Sequence, residues 1–139
     1  MHRPALALLV CLTLATGALA AAMSVKEEMK GIVEPGANMI FAVGGDVDPA
    51  NGPDAAKVPD ARWGEALKAA KALKAVSADL KGVQKMPGDE WTKAAADFAR
   101  LAADAEAAAM KKDGAGLSKA ANDLGDTCTA CHSRYKKQG

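Results

Sequence analysis

From Leu117 to Tyr135 the residues Leu117, Ala121, Leu124, Cys128, Cys131 and Tyr135 recur at steps of 4, 3, 4, 3 and 4. That spacing keeps side chains on one stripe of an α-helix. Two cysteines share the stripe with leucines that need a core, so whatever the cysteines do is turned toward the interior of a helical assembly. Three earlier segments repeat the pattern. The first runs from about Ser24 to Val43, with Val25, Met29, Ile32, Gly36, Met39 and Val43 on one side and a capping box of Ser24 and Glu27 at its start. Gly44-Gly45 is expected to stop it, and Asp46 to Val58, rich in Gly, Pro, Asn and Asp, reads as one long crossing loop.

The second segment follows Pro59 and Asp60, spans about Ala61 to Lys81, and turns Trp63, Leu67, Ala70, Leu73, Val76 and Leu80 inward before Gly82. Met86-Pro87-Gly88 is a turn and Asp89 a cap. The third segment presents Trp91, Ala95, Phe98, Leu101, Ala105 and Ala108 until Asp113-Gly114 breaks it, and the fourth covers about Gly116 to Lys137. Short second and third connections make successive helices antiparallel neighbours. The expected fold is therefore all-α, an antiparallel up-down four-helix bundle. Aromatics are only 4% of the chain, so Trp63 and Trp91 read as core bulk that the alanines do not supply.

Within the last segment the chain reads Cys128-Thr129-Ala130-Cys131-His132, a C-x-x-C-H box, the attachment signal of a c-type haem. On a helix the two thiols are close enough to add across the two vinyl groups of one porphyrin, and the adjoining imidazole can reach its iron. Cys128 and Cys131 would form the thioether links and His132 would be the proximal ligand, with one covalent haem in the bundle core. Zinc needs four N or S ligands, and beyond these three the chain offers only Cys11 and His2. A redox dithiol sits where a strand meets a helix, a pattern lacking here. A plain disulfide stays open as an alternative, although so short a loop constrains the unfolded chain little.

The first twenty residues carry their own message. His2 and Arg3 form a basic start, Ala5 to Leu14 an apolar run, and Ala18-Leu19-Ala20 a small-x-small cleavage site, which together read as a cleaved secretory signal peptide over residues 1–20. Residues 21–139 then form the single domain, expected in the periplasm. The apolar run is too short to span a bilayer, and Val10 before Cys11 argues against lipidation, so no membrane anchor is expected. Removing residues 1–20 takes away Arg3 alone among the 18 Lys and Arg, which leaves them equal in number to the 17 Asp and Glu; such a balance carries no nucleic-acid footprint.

A sixth iron ligand is selected by level along the bundle. His132 lies about one turn from the end of the fourth helix, beside the start of the first, where Met29 is little more than one turn in. Met39 shares the stripe but lies ten residues on, roughly 15 Å away. Met23 is at or before the helix start, Met86 is in a turn, and Met110 is near the end of the third helix. Met29 is thus the expected distal ligand, and a core methionine packing on the haem without bonding iron is the alternative.

A chain with four helical segments, C-x-x-C-H in the last, and Tyr135 and basic residues directly after the box resembles the class II c-type cytochromes, the cytochrome c′ family. Met29 to Gly45 resembles that family's first helix in the distance from the distal position to the helix-ending glycine. The resemblance implies a haem-bearing bundle with Met29 at the distal position, where low-spin members use methionine as a sixth ligand and high-spin members often keep an apolar residue. Two departures stand out. Where the family commonly has an arginine, four residues before the distal position, this chain has Val25 beside Lys26, which leaves propionate pairing in the first helix unassigned. Pro35 also lies inside that helix and crowds the carbonyl of Gly31, predicting a kink.

The expected function is single-electron transfer between redox partner proteins, with His132 and Met29 as axial ligands. The alternative is a five-coordinate site that binds nitric oxide or carbon monoxide in an apolar pocket of Met29, Ile32 and Val33. No Ser-His-Asp set, phosphate loop or paired carboxylates stand out, and His132 is the only histidine after residue 20, so an enzyme is not expected. Arg134, Lys136 and Lys137 suit a helix C-terminus, and the lysine-rich face of the second helix reads as a solvated face. Either a monomer or a homodimer through the first two helices is compatible with alanine-rich stripes.

Overall fold

The computed structural model describes residues 23–83 and 88–136, so the expected signal peptide, Cys11, Met86 and Lys137 lie outside the described residues. Among those described, every regular element is a helix: α1 (Val25–Glu28), a π-turn (Met29–Val33), α2 (Glu34–Asp46), a 3-10 segment (Pro49–Lys57), α3 (Asp60–Gly82), α4 (Asp89–Lys111) and α5 (Gly114–Tyr135). α1, the π-turn and α2 are continuous and form one rod. That rod packs on α3 and α5, α3 on α4, and α4 on α5, which closes the ring of an up-down four-helix bundle.

The rod begins as its sequence dictates. Ser24 Oγ accepts from the amide of Glu27 at 3.3 Å while Glu27 Oε2 accepts from the amide of Ser24 at 2.8 Å, the reciprocal capping box. The kink expected at Pro35 takes the form of the π-turn, in which the amide of Glu34 donates to the carbonyl of Met29, five residues back. Pro35 directly follows Glu34, so the widened turn lies where the proline ring would crowd the carbonyl of Gly31. The widened turn rotates what comes after it. Val33, Ala37, Ile40, Val43 and Val47 are buried, whereas Ile32 and Met39, expected on the inner stripe, are only partly buried.

Gly44-Gly45 does not stop the helix, which continues to Asp46. Gly44 is instead a point of close approach: a Cβ there would lie 2.8 Å from the Ala121 Cβ and 3.4 Å from the Leu117 carbonyl oxygen. Gly36 does the same toward α3, where a Cβ would meet Leu73 Cδ2 at 2.8 Å. The expected open crossing is largely a 3-10 segment, bent at Gly52 with φ 74°. Asp48 pins it at both ends of its carboxylate, Oδ1 accepting from the Ala50 amide at 2.8 Å and Oδ2 from the Ser118 hydroxyl of α5 at 2.9 Å.

The later helices start slightly earlier than their sequence signals. Gly88, with φ 97°, precedes α4 and Asp89 is its first residue rather than its cap, while Asp113 caps α5 by accepting from the Gly116 amide at 3.0 Å. Ile40, Leu73, Leu101, Leu117 and Leu124 are fully enclosed, each contributing on the order of 1.5–3 kcal/mol by leaving water. Alanines between them, Ala66, Ala70, Ala102 and Ala105, let the helices approach closely. Trp63 and Trp91 are both buried, as core bulk requires. Leu67, expected in the core, lies at its margin.

Candidate functional site

The last two turns of α5 carry Thr127, Cys128, Cys131 and His132 to one wall of a cleft of about 460 Å³, counting its open mouth. Met29 and Val33 from the π-turn, Leu80 from the end of α3, and Trp91, Ala94, Ala95 and Phe98 from the start of α4 make the other walls. All four rods meet here because each contributes the end that lies at the same pole of the bundle. Aside from Thr127 and His132 its lining is aliphatic, aromatic or sulfur-bearing.

Cys128 and Cys131 are free thiols, partly buried and packed against the core. Burial pushes both thiols above the ordinary range, and for Cys128 the neighbouring Cys131 adds to it. A redox dithiol works through a thiolate stabilised by a lowered pKa, so these shifts run opposite to what that chemistry needs. His132 is exposed and borders the cleft. Among the described residues no three His, Cys, Asp or Glu side chains gather to hold a bare metal ion.

Among the described residues, Met29 is the methionine that the fold brings to the same cleft as the box. Met39 faces elsewhere: its sulfur lies 3.7 Å from Nη1 of Arg62, whose guanidinium also holds Asp46 at 2.5 Å and Glu65 at 2.6 Å. Met23 and Met110 are exposed. Ile32, expected to line an apolar distal pocket with Met29 and Val33, is absent from the cleft lining, because the π-turn rotates it off the inner face. Leu80, Trp91, Ala95 and Phe98 were legible as core positions but not as cleft walls; their shared feature is nearness to the pole where α5 ends.

Trp91 is held in place. Its indole N–H donates to the Leu80 carbonyl at 2.8 Å, and Tyr135 packs on it edge to face, with ring centroids 5.2 Å apart and planes at 88°. Arg134 pairs with Glu90, tying the end of α5 to the start of α4. Lys26 and Lys136 are exposed, and Val25 is partly buried.

Two buried side-chain polar atoms among the described residues have no hydrogen-bond partner, Glu28 Oε2 and Tyr135 Oη. Burial, and then the charge of Asp79, raise the Glu28 carboxyl above its ordinary range. Leaving such a group unmet costs about 1–3 kcal/mol, and both lie at the pole that holds the cleft. The residues therefore fit a haem: two thiols one turn apart, an imidazole beside them, a thioether across the cleft, apolar walls for a porphyrin, and unsatisfied polar atoms at the same end.

A family model described as Cytochrome C′ matches residues 86–136, a stretch that takes in α4, α5 and the whole C-x-x-C-H box. No curated protein and no solved structure matches the chain. Over that stretch, with the box turned into an apolar cleft and a helical bundle closed around it, the chain is similar to the class II c-type cytochromes, the cytochrome c′ family, whose cofactor is a covalently bound haem c with its iron.

Proposed function

We infer that the protein is a periplasmic carrier of single electrons. In this reading Cys128 and Cys131 hold the haem through thioether bonds, His132 is the proximal ligand and Met29 the distal one. The observation that carries it is that Met29 and His132 border one cleft. The bound haem iron supplies the one-electron couple between its ferric and ferrous states. The chain's part is to hold that couple rigid and dry. Ligation by both His132 and Met29 would leave the iron no open position, which would suppress ligand exchange and keep reorganisation small.

Val33, Leu80, Ala95 and Phe98 exclude water from the cleft, and Trp91 cannot swing away while it holds the Leu80 carbonyl. Met29 opens the π-turn, a helix irregularity frequent at functional sites. The secretory reading of residues 1–20 supports the periplasm, and no helix among the described residues is long and apolar enough to cross a membrane. Partners would be other redox proteins, with no enzymatic turnover by the chain itself.

A second reading has its own support in the apolar cleft walls, which suit a five-coordinate iron open to nitric oxide or carbon monoxide. Visible spectra of the ferric and ferrous holoprotein, with and without carbon monoxide, separate the two when taken beside Met29→Ala. Electron transfer predicts a low-spin ferric spectrum whose sulfur-to-iron charge-transfer band disappears in the variant. High-spin spectra indifferent to the substitution, with ready carbon monoxide binding, refute Met29 ligation and leave gas binding.

A further inference from the structure

Tyr135 is 8% exposed and its hydroxyl has no partner. It lies one helical turn beyond Cys131 on the inner stripe of α5. Its ring is fixed against Trp91, and Trp91 is fixed by its bond to the Leu80 carbonyl. Trp91, Leu80 and Cys131 all line the cleft, and Tyr135, not itself in the lining, packs on the back of Trp91 with its hydroxyl enclosed. The other unmet polar atom, Glu28 Oε2, does not satisfy it, since both remain without a partner.

A buried phenol O–H ordinarily finds an acceptor. The haem that this family binds brings two carboxylates, its propionates, on an otherwise apolar ring. We propose that the Tyr135 hydroxyl donates to a haem propionate and is a positioning residue for the cofactor, an inference that rests on covalent haem attachment but not on Met29 ligation. A phenol donating to a carboxylate is a short, charge-assisted bond. It fixes one edge of the porphyrin and partly neutralises a negative charge near the iron. Loss of the donor leaves that charge less compensated and favours the ferric state.

The test compares three holoproteins: wild type, Tyr135→Phe, and protein carrying 3-fluorotyrosine at position 135, which keeps the hydroxyl and makes it a stronger donor. Pyridine haemochrome spectra first establish thioether-bound haem in each. Resonance Raman spectra then follow the propionate bending mode in light and heavy water, and a redox titration follows the iron at one pH. In Tyr135→Phe the mode is expected to shift and to lose its sensitivity to heavy water. The ferric-to-ferrous ratio, poised at the wild-type midpoint, is expected to rise roughly threefold, and fluorotyrosine moves both readouts the other way. An unchanged mode and ratio in both substituted proteins, with the haem spectra intact, overturn the proposal and leave the hydroxyl on a trapped water. Absence of a thioether haem spectrum from the wild type as well would instead refute the attachment on which the inference rests.

Discussion

Substitution of either member of the Gly44-Gly45 pair by alanine should have opposite effects on stability. In a helix interior, alanine is favoured over glycine by about 1 kcal/mol. At Gly45 no atom lies within 4 Å of the added methyl, so Gly45→Ala is expected to stabilise by about 0.5–1 kcal/mol. At Gly44 the methyl would meet the Ala121 Cβ at 2.8 Å, the Leu117 carbonyl oxygen at 3.4 Å and the Ser118 Cα at 3.6 Å. None of these is the end of a flexible side chain, so α2 and α5 must part. Overpacking of this kind costs about 1–3 kcal/mol, and separation also strains the Ser118 to Asp48 hydrogen bond, itself worth about 1 kcal/mol. Against the helix-propensity gain, Gly44→Ala is expected to destabilise by about 1–2 kcal/mol, a fall in Tm of roughly 4–8 °C. Adding Ala121→Gly removes the nearest obstacle, so the double variant should be more stable than the two single effects summed, by about 1 kcal/mol. Urea denaturation of the holoproteins, followed by far-ultraviolet circular dichroism, measures all four. Equal stabilisation by alanine at both positions would refute the close-approach account of Gly44.

Two further perturbations follow from single contacts. Ser24→Ala removes the hydroxyl, the larger of the two Ser24 donors that hold the Glu27 carboxyl below its ordinary range; a folded-state pKa lowered in this way gives stability that is present above the unfolded value and lost as pH falls through the folded one. The Tm difference between wild type and Ser24→Ala should therefore shrink from pH 7 to pH 3, and a difference constant across that range would contradict it. Trp91→Phe keeps the edge-to-face partner of Tyr135 but loses the bond to the Leu80 carbonyl and leaves a small void, together about 2–3 kcal/mol; a loss below about 0.5 kcal/mol in holoprotein urea melts would show that the indole bond does not hold the cleft wall.

Much of this architecture could be read from residue spacing, and the failures have local causes. Trp91, Ala95, Phe98, Leu101, Ala105 and Ala108 are all buried as their period requires, and the Ser24 and Glu27 box forms as written. The inner stripe of the first rod is shifted because a π-turn adds one residue to a turn, and periodicity measured in steps of three and four has no symbol for it; Pro35 hinted at a kink without giving its direction. Gly44-Gly45 looks like punctuation in isolation. Only Ala121, more than seventy residues away, shows that Gly44 is small for the sake of a neighbouring helix. In the cleft, Cys128, Cys131, His132 and Met29 were legible from motif and level, whereas Leu80 and Phe98 were not, since nothing in a core leucine or phenylalanine distinguishes an interior position from a wall.

The partial burial of the two thiols bears on the order of events in maturation. Thioether formation needs sulfur that can reach a vinyl group and react with it, yet once α5 has docked, burial holds both sulfurs in the less nucleophilic protonated form. The same helix supplies Leu117 and Leu124 to the enclosed core, so docking α5 and closing the bundle are one event. If these sulfurs take the haem as proposed, attachment would be easiest while the last helix is still undocked, and closing the bundle first would slow it.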